Sequence, residues 1–104
     1  MDKEYHISPG ANKKLPPIIQ ALVWFVVEKN APFQKSLQTI SLSKGMKHGL
    51  PAQIISFKTE TPPGQITYTF PTPNPVTVKE LFVLCNEQGY TIITKNELEE
   101  NLYE

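Results

Sequence analysis

Residues 15–30 read LPPIIQALVWFVVEKN, and the rest of the chain is organised around this stretch. From Ile18 to Val27 only Gln20 is strongly polar. The segment therefore reads as one long helix, apolar nearly all the way round, which the rest of the domain must cover on most sides. Pro16 and Pro17 suit a helix start, because the first-turn N–H groups have no intrahelical partner in any case. Asn30 accepts left-handed backbone and Pro32 blocks continuation, which sets the expected stop. Trp24 sits mid-helix and is expected in the core, where truncating a buried aromatic costs about 3–5 kcal/mol.

Working outward, Tyr5-His6-Ile7-Ser8 reads as a short first strand and Pro9-Gly10 as a turn. After the helix the period changes. Residues 37–42 (LQTISL), 53–58 (QIISFK) and 65–70 (QITYTF) read as strands, the last alternating so that Ile66, Tyr68 and Phe70 face the core. The connections from Ser43 to Pro51 and through Thr61-Pro62-Pro63-Gly64 are short enough for hairpins, so these three strands form a meander. Pro71, Pro73 and Pro75 lack donors and make a stiff connector. No two prolines are three apart, so the spacing of a polyproline ligand is missing. Leu81 to Cys85 is apolar throughout, as in a central strand, and Tyr90-Thr91-Ile92-Ile93 is its hairpin partner across Asn86-Glu87-Gln88-Gly89. Thr94-Lys95-Asn96-Glu97 has the form of a capping box and opens a short terminal helix. The expected fold is α+β: one long N-terminal helix packed on an antiparallel sheet of about five strands, with a short C-terminal helix, in a single domain spanning 1–104.

Ten basic residues balance ten acidic ones, and every basic residue is lysine. The bidentate guanidinium fork that reads phosphates and guanine edges is therefore missing, which counts against specific nucleic-acid reading. Residues 1–58 hold an excess of lysine and the remainder an excess of acid, about +5 against −5. Cys85 is the lone cysteine, so an intrachain disulfide is impossible, and within LFVLC it reads as a small buried apolar group. The apolar run of the helix falls far short of the roughly 20 residues that span a bilayer, and MDKEYHIS lacks the apolar region of a signal peptide. A cytoplasmic protein is the expectation.

The sequence presents no catalytic constellation. His6 and His48 belong to no metal-ligand spacing, Ser8 and Ser56 lack a nucleophile-elbow context, and Glu99-Glu100 reads as a solvated face. Gly45 and Gly49 frame Met46-Lys47-His48 without the pattern of a phosphate loop. No enzyme activity, metal or cofactor is expected. The exposed segment with a functional look is Lys44-Gly45-Met46-Lys47-His48-Gly49, so Lys44, Met46, Lys47 and His48 are the expected partner-binding residues, for an acidic protein or a nucleic-acid backbone. The bland alternative is a solvated hairpin tip.

The LPPIIQALVWFVVEK helix, the LQTISL strand, the QIISFKTETPPGQITYTF hairpin and the LFVLCNEQGYTIITKNEL end resemble the small bacterial family catalogued as "domain of unknown function 960". The resemblance covers about Ile7 to Glu99 and rests on core and turn patterns. It implies a similar fold and an origin in Gram-positive bacteria or their prophages, and brings no activity, cofactor or catalytic residue. The leading functional expectation is a non-enzymatic accessory or regulatory factor that binds a protein. The alternative is a weak nucleic-acid-binding module using the lysine-rich N-terminal half. Self-association through sheet edges is compatible with either.

Overall fold

The main helix starts at the prolines, as the sequence implies, and a short helix that the sequence did not announce precedes it. The computed structural model describes residues 4–30, 38–60, 63–85 and 89–102. In it a short helix α1 (Pro9–Lys14) precedes the main helix α2 (Pro17–Asn30). Leu15 between them is extended, with φ −118° and ψ 107°, because the ring of a following proline excludes the helical region. The expected Pro9-Gly10 turn is instead the first turn of α1. Ser8 caps it, its hydroxyl accepting from the Ala11 N–H at 3.2 Å, and Pro9 stands where a missing N–H costs nothing.

α2 is less covered than its composition suggests. Ile19, Val23, Val26 and Val27 are buried and share one helical face, whereas Ile18 is 61 % and Phe25 45 % exposed. A helix lying on a sheet buries one stripe, so the expectation of cover on most sides is corrected. Trp24 is half-buried against the core, with its ring edge-on to Tyr5 at 5.1 Å between centroids.

The strands are β1 (Glu4–Ile7), β2 (Gln38–Lys47), β3 (Leu50–Glu60), β4 (Pro63–Pro71), β5 (Val78–Cys85) and β6 (Gly89–Thr94). They form one six-stranded sheet in the order β1-β6-β5-β2-β3-β4. The antiparallel sheet of about five strands is corrected to a mixed sheet of six, because β1 runs parallel to β6, with Tyr5 opposite Tyr90 and Ile7 opposite Ile92. A parallel pair requires a long connection, and here nearly the whole chain lies between the two strands. Their approach depends on Gly89, where an added Cβ would stand 2.0 Å from the Glu4 carbonyl oxygen. The remaining pairs are antiparallel, and β5 and β2 are central as the apolar run from Leu81 implied.

The first hairpin is tighter and its strands longer than expected. Instead of a loop from Ser43 to Pro51, β2 and β3 stay paired up to Lys47 and Leu50. The turn is His48-Gly49, both at positive φ (53° and 78°), the geometry whose twist matches a two-residue hairpin. In β5 the register against β2 steps from Leu81 opposite Ile40 to Val78 opposite Leu42. Lys79 and Glu80 therefore share one place in the ladder and point to solvent, while Val78 and Leu81 both reach the core. The core lies between α2 and the sheet face carrying Ile40, Leu42, Ile55, Phe57, Val83 and Ile92. Tyr68 and Phe70 pack at its margin, but Ile66, expected inside, is 48 % exposed, since β4 is an edge strand with a neighbour on one side.

The capping box forms as read: Thr94 and Glu97 open α3 (Lys95–Leu102), Thr94 Oγ1 accepting from the Glu97 N–H at 3.3 Å and the Glu97 carboxylate accepting from the Thr94 N–H at 2.9 Å. Among the described residues no helix is long and apolar enough to cross a membrane. α2 ends at Asn30, the expected stop, while Pro32, the turn residues 61–62 and 86–88 and the side chain of Cys85 fall outside the described structure.

Candidate functional site

The β2–β3 hairpin runs out beyond its neighbours. Among the described residues β2 has no partner on its β5 side past Leu42, and towards the turn β3 loses β4 after Ala52, which faces Pro71. What steadies the ribbon is Gln53, a fully buried side chain. Its amide nitrogen donates to the carbonyls of Val76 at 2.9 Å and Ser43 at 3.0 Å, and its oxygen accepts from the Val76 N–H at 2.7 Å. One side chain thus takes the place of a strand neighbour and clasps the proline-rich connector to the hairpin. The Thr72 N–H adds a bond to the Pro51 carbonyl at 3.1 Å.

The four residues singled out from the sequence are all exposed at this end, but the strand register divides them. Met46 lies opposite Pro51 and Lys44 opposite Gln53, so these two share a face, while Lys47, one residue on, takes the other, and His48 forms the apex. Met46 is 66 % exposed and Leu50, opposite Lys47, is 59 % exposed. Leu50 was missed by the sequence reading, as was the notch beside it, an apolar hollow of about 310 Å³ lined by Leu50, Pro51, Pro71, Thr72 and Pro73. The Thr72 hydroxyl is buried there and has no hydrogen-bond partner among the described residues. The readable signal was the apolar pair flanking the turn, Met46 and Leu50, together with prolines on both sides of Thr72. From Ser43 to Thr59 the chain contains Lys44, Lys47 and Lys58 and no acid.

A second polar cluster has a structural role. Besides its capping contacts, Glu97 accepts from Ser8 Oγ at 2.5 Å, from Thr94 Oγ1 at 2.8 Å and from the Gly10 N–H at 3.1 Å. Burial alone would raise its pKa, but the hydrogen bonds from Ser8, Thr94 and Gly10 outweigh it and bring the pKa down to about 2 from an ordinary 4.5. Such a carboxylate is ionised above its lowered pKa, with both oxygens engaged in hydrogen bonds. It pins the start of α3 to the start of α1, and Gly10 lies so close that an added Cβ would meet the carboxylate at 2.8 Å. Among the described residues no group of three or more His, Cys, Asp or Glu side chains is placed to hold a metal ion.

No protein-family model matches the chain, and no curated protein matches it in sequence. In structure it is similar to a protein of unknown function from Enterococcus faecalis, known from a crystal structure, with a TM-score of 0.71 over 92 % of this chain and 91 % of that one, at 18 % identity. At that identity the likeness speaks for the fold alone.

Proposed function

We propose that this chain is a non-enzymatic accessory or regulatory factor of the cytoplasm that works by binding another protein through the β2–β3 hairpin, with Lys44, Met46, Lys47 and His48 as contacts. The observation that carries the reading is exposed Leu50 in the wall of the proline-lined notch, with exposed Met46 on the other face of a tip free of acidic residues. Apolar anchors beside a pocket are what a protein interface is built on, and the lysines around them favour an acidic rim on the partner. The resemblance to domain of unknown function 960 supports an origin in a mobile element or prophage of a Gram-positive host.

Affinity capture of the tagged chain from lysate of such a host, with and without nuclease, tests the reading. One dominant protein is retained after nuclease treatment and is lost with Leu50→Glu. Retention indifferent to that substitution would move the contact elsewhere. A second reading, a weak nucleic-acid-binding module, draws on the lysine-rich N-terminal half, where residues 1–58 hold eight lysines against three acids. Capture that vanishes with nuclease, and an affinity that falls steeply with salt, would favour it.

A further inference from the structure

The sheet ends on one side in a strand that carries few of the devices by which edge strands avoid pairing. β4 keeps unbroken register with β3, from Pro63 opposite Glu60 to Pro71 opposite Ala52, over its 9 residues and without a bulge. It contains no charged residue. Among the described residues no strand lies on its outer side. A long, uncharged, unbulged edge is a template for a further strand. Beside it Phe25 of α2 stands edge-on to Tyr68 and Phe70, at 6.4 and 5.9 Å between centroids, so the exposed helix face and the apolar column of β4 meet in one strip.

We propose that β4 pairs with β4 of a second copy of this chain, antiparallel about a two-fold axis at Thr67, joining two sheets into one. A strand that pairs with itself must match its own reversal. About Thr67, the midpoint of the strand, the partner's Tyr68 falls opposite Ile66 and the partner's Phe70 opposite Gly64, while the partner's Thr69 falls opposite Gln65. Apolar side chains stay on the helix-bearing face, and hydroxyl and amide groups stay on the other. An isologous contact sets each residue against its own surroundings, so any charge near the axis would meet its like, and here there is none. Pro63 and Pro71 lack donors and close the ladder at both ends, which makes the pairing finite. A strand supplied by a different protein would need no such reversal symmetry.

Sedimentation equilibrium of the full chain over a range of concentrations tests the proposal. The weight-average mass rises from 11.8 kDa to twice that value. Thr67→Lys, which sets two like charges face to face at the axis, weakens the dimer at least about tenfold. Thr67 is exposed, so the variant keeps the circular dichroism spectrum of the wild type. Thr67→Cys cross-links to a covalent dimer on mild oxidation, whereas Gln65→Cys, displaced from the axis, does not. A chain that stays monomeric at every concentration overturns the pairing and leaves the edge for a strand of another protein. A dimer indifferent to Thr67→Lys and uncrosslinked by Thr67→Cys overturns it equally.

Discussion

β1, at one edge of the sheet, is four residues long and exposes Glu4 and His6 with their side chains 3.1 Å apart. β4, at the other, is nine residues long and carries no charge. The short edge has a ladder of only four residues to β6 and is also held by the side chains around it. Tyr5 meets Trp24 edge-on and stacks on Tyr90 at 5.7 Å, and the chain that leaves β1 is fastened at Ser8 by Glu97. The long edge is held by its own ladder to β3. A strand fixed by side chains is easily undone by changing them, while a strand fixed by backbone pairing tolerates such changes and leaves its outward side for another partner.

The largest effect is expected where the short edge meets the helix. Trp24→Ala removes the ring that joins α2 to Tyr5 and is predicted to cost about 3 kcal/mol, the low end for aromatic truncation because the side chain is half-buried. Chemical denaturation measures it. An unchanged midpoint would show that β1 is held without Trp24 and would remove half of the contrast.

Next comes Gly89→Ala. Its Cβ would collide with the backbone of Glu4, so one strand must shift, at about 1–3 kcal/mol for an overpacked contact. Amide exchange should show protection lost in β1 and kept in β3 and β4. Uniform loss throughout the sheet would mean that the two edges are not independent.

Glu97→Gln is predicted to cost about 1 kcal/mol, as for other lost helix caps. Its pH dependence sharpens the test. The Glu97 pKa is lower folded than unfolded, so its contribution is fully present above about pH 4.5 and fades as the pH falls toward 2. Wild type should lose stability across that window, and the variant should lose less. Equal slopes would remove Glu97 as the fastening of β1 and α1 to α3.

The smallest effect on folding belongs to the long edge. Thr67→Lys should leave monomer stability within about 0.5 kcal/mol, as surface substitutions commonly do, while changing association. The contrast is then complete: variants around β1 lower the stability of the chain, and variants of β4 change its company.

Much of this frame could be read from the residues, because local patterns govern it. The alternation in residues 65–70, the apolar run from Leu81 and the Thr94–Glu97 box each specify an element by itself. The start of α2 at Pro17 was also readable from its prolines, whereas α1 was hidden because Pro9-Gly10 reads equally as a turn. Two features were not readable for a physical reason. The partner of a four-residue strand is chosen by the whole topology, so β1 gave no sign of lying parallel to β6. A helix apolar nearly all the way round does not reveal which face is buried, so cover on most sides was expected where Ile18 and Phe25 are in fact exposed. At the hairpin the exposure of Lys44, Met46, Lys47 and His48 was legible from their types. Their division between two faces depends on a register fixed by the His48-Gly49 turn, and Leu50 and the notch enter only once that register is known.

Hydrogen exchange of individual amides, followed by NMR at low and high protein concentration, addresses the difference between the edges most directly. Outward-facing amides between Gly64 and Phe70 are expected to exchange more slowly as concentration rises, while those of β1 keep their rates. Exchange in β4 that is independent of concentration, or slowing confined to β1, would contradict that difference.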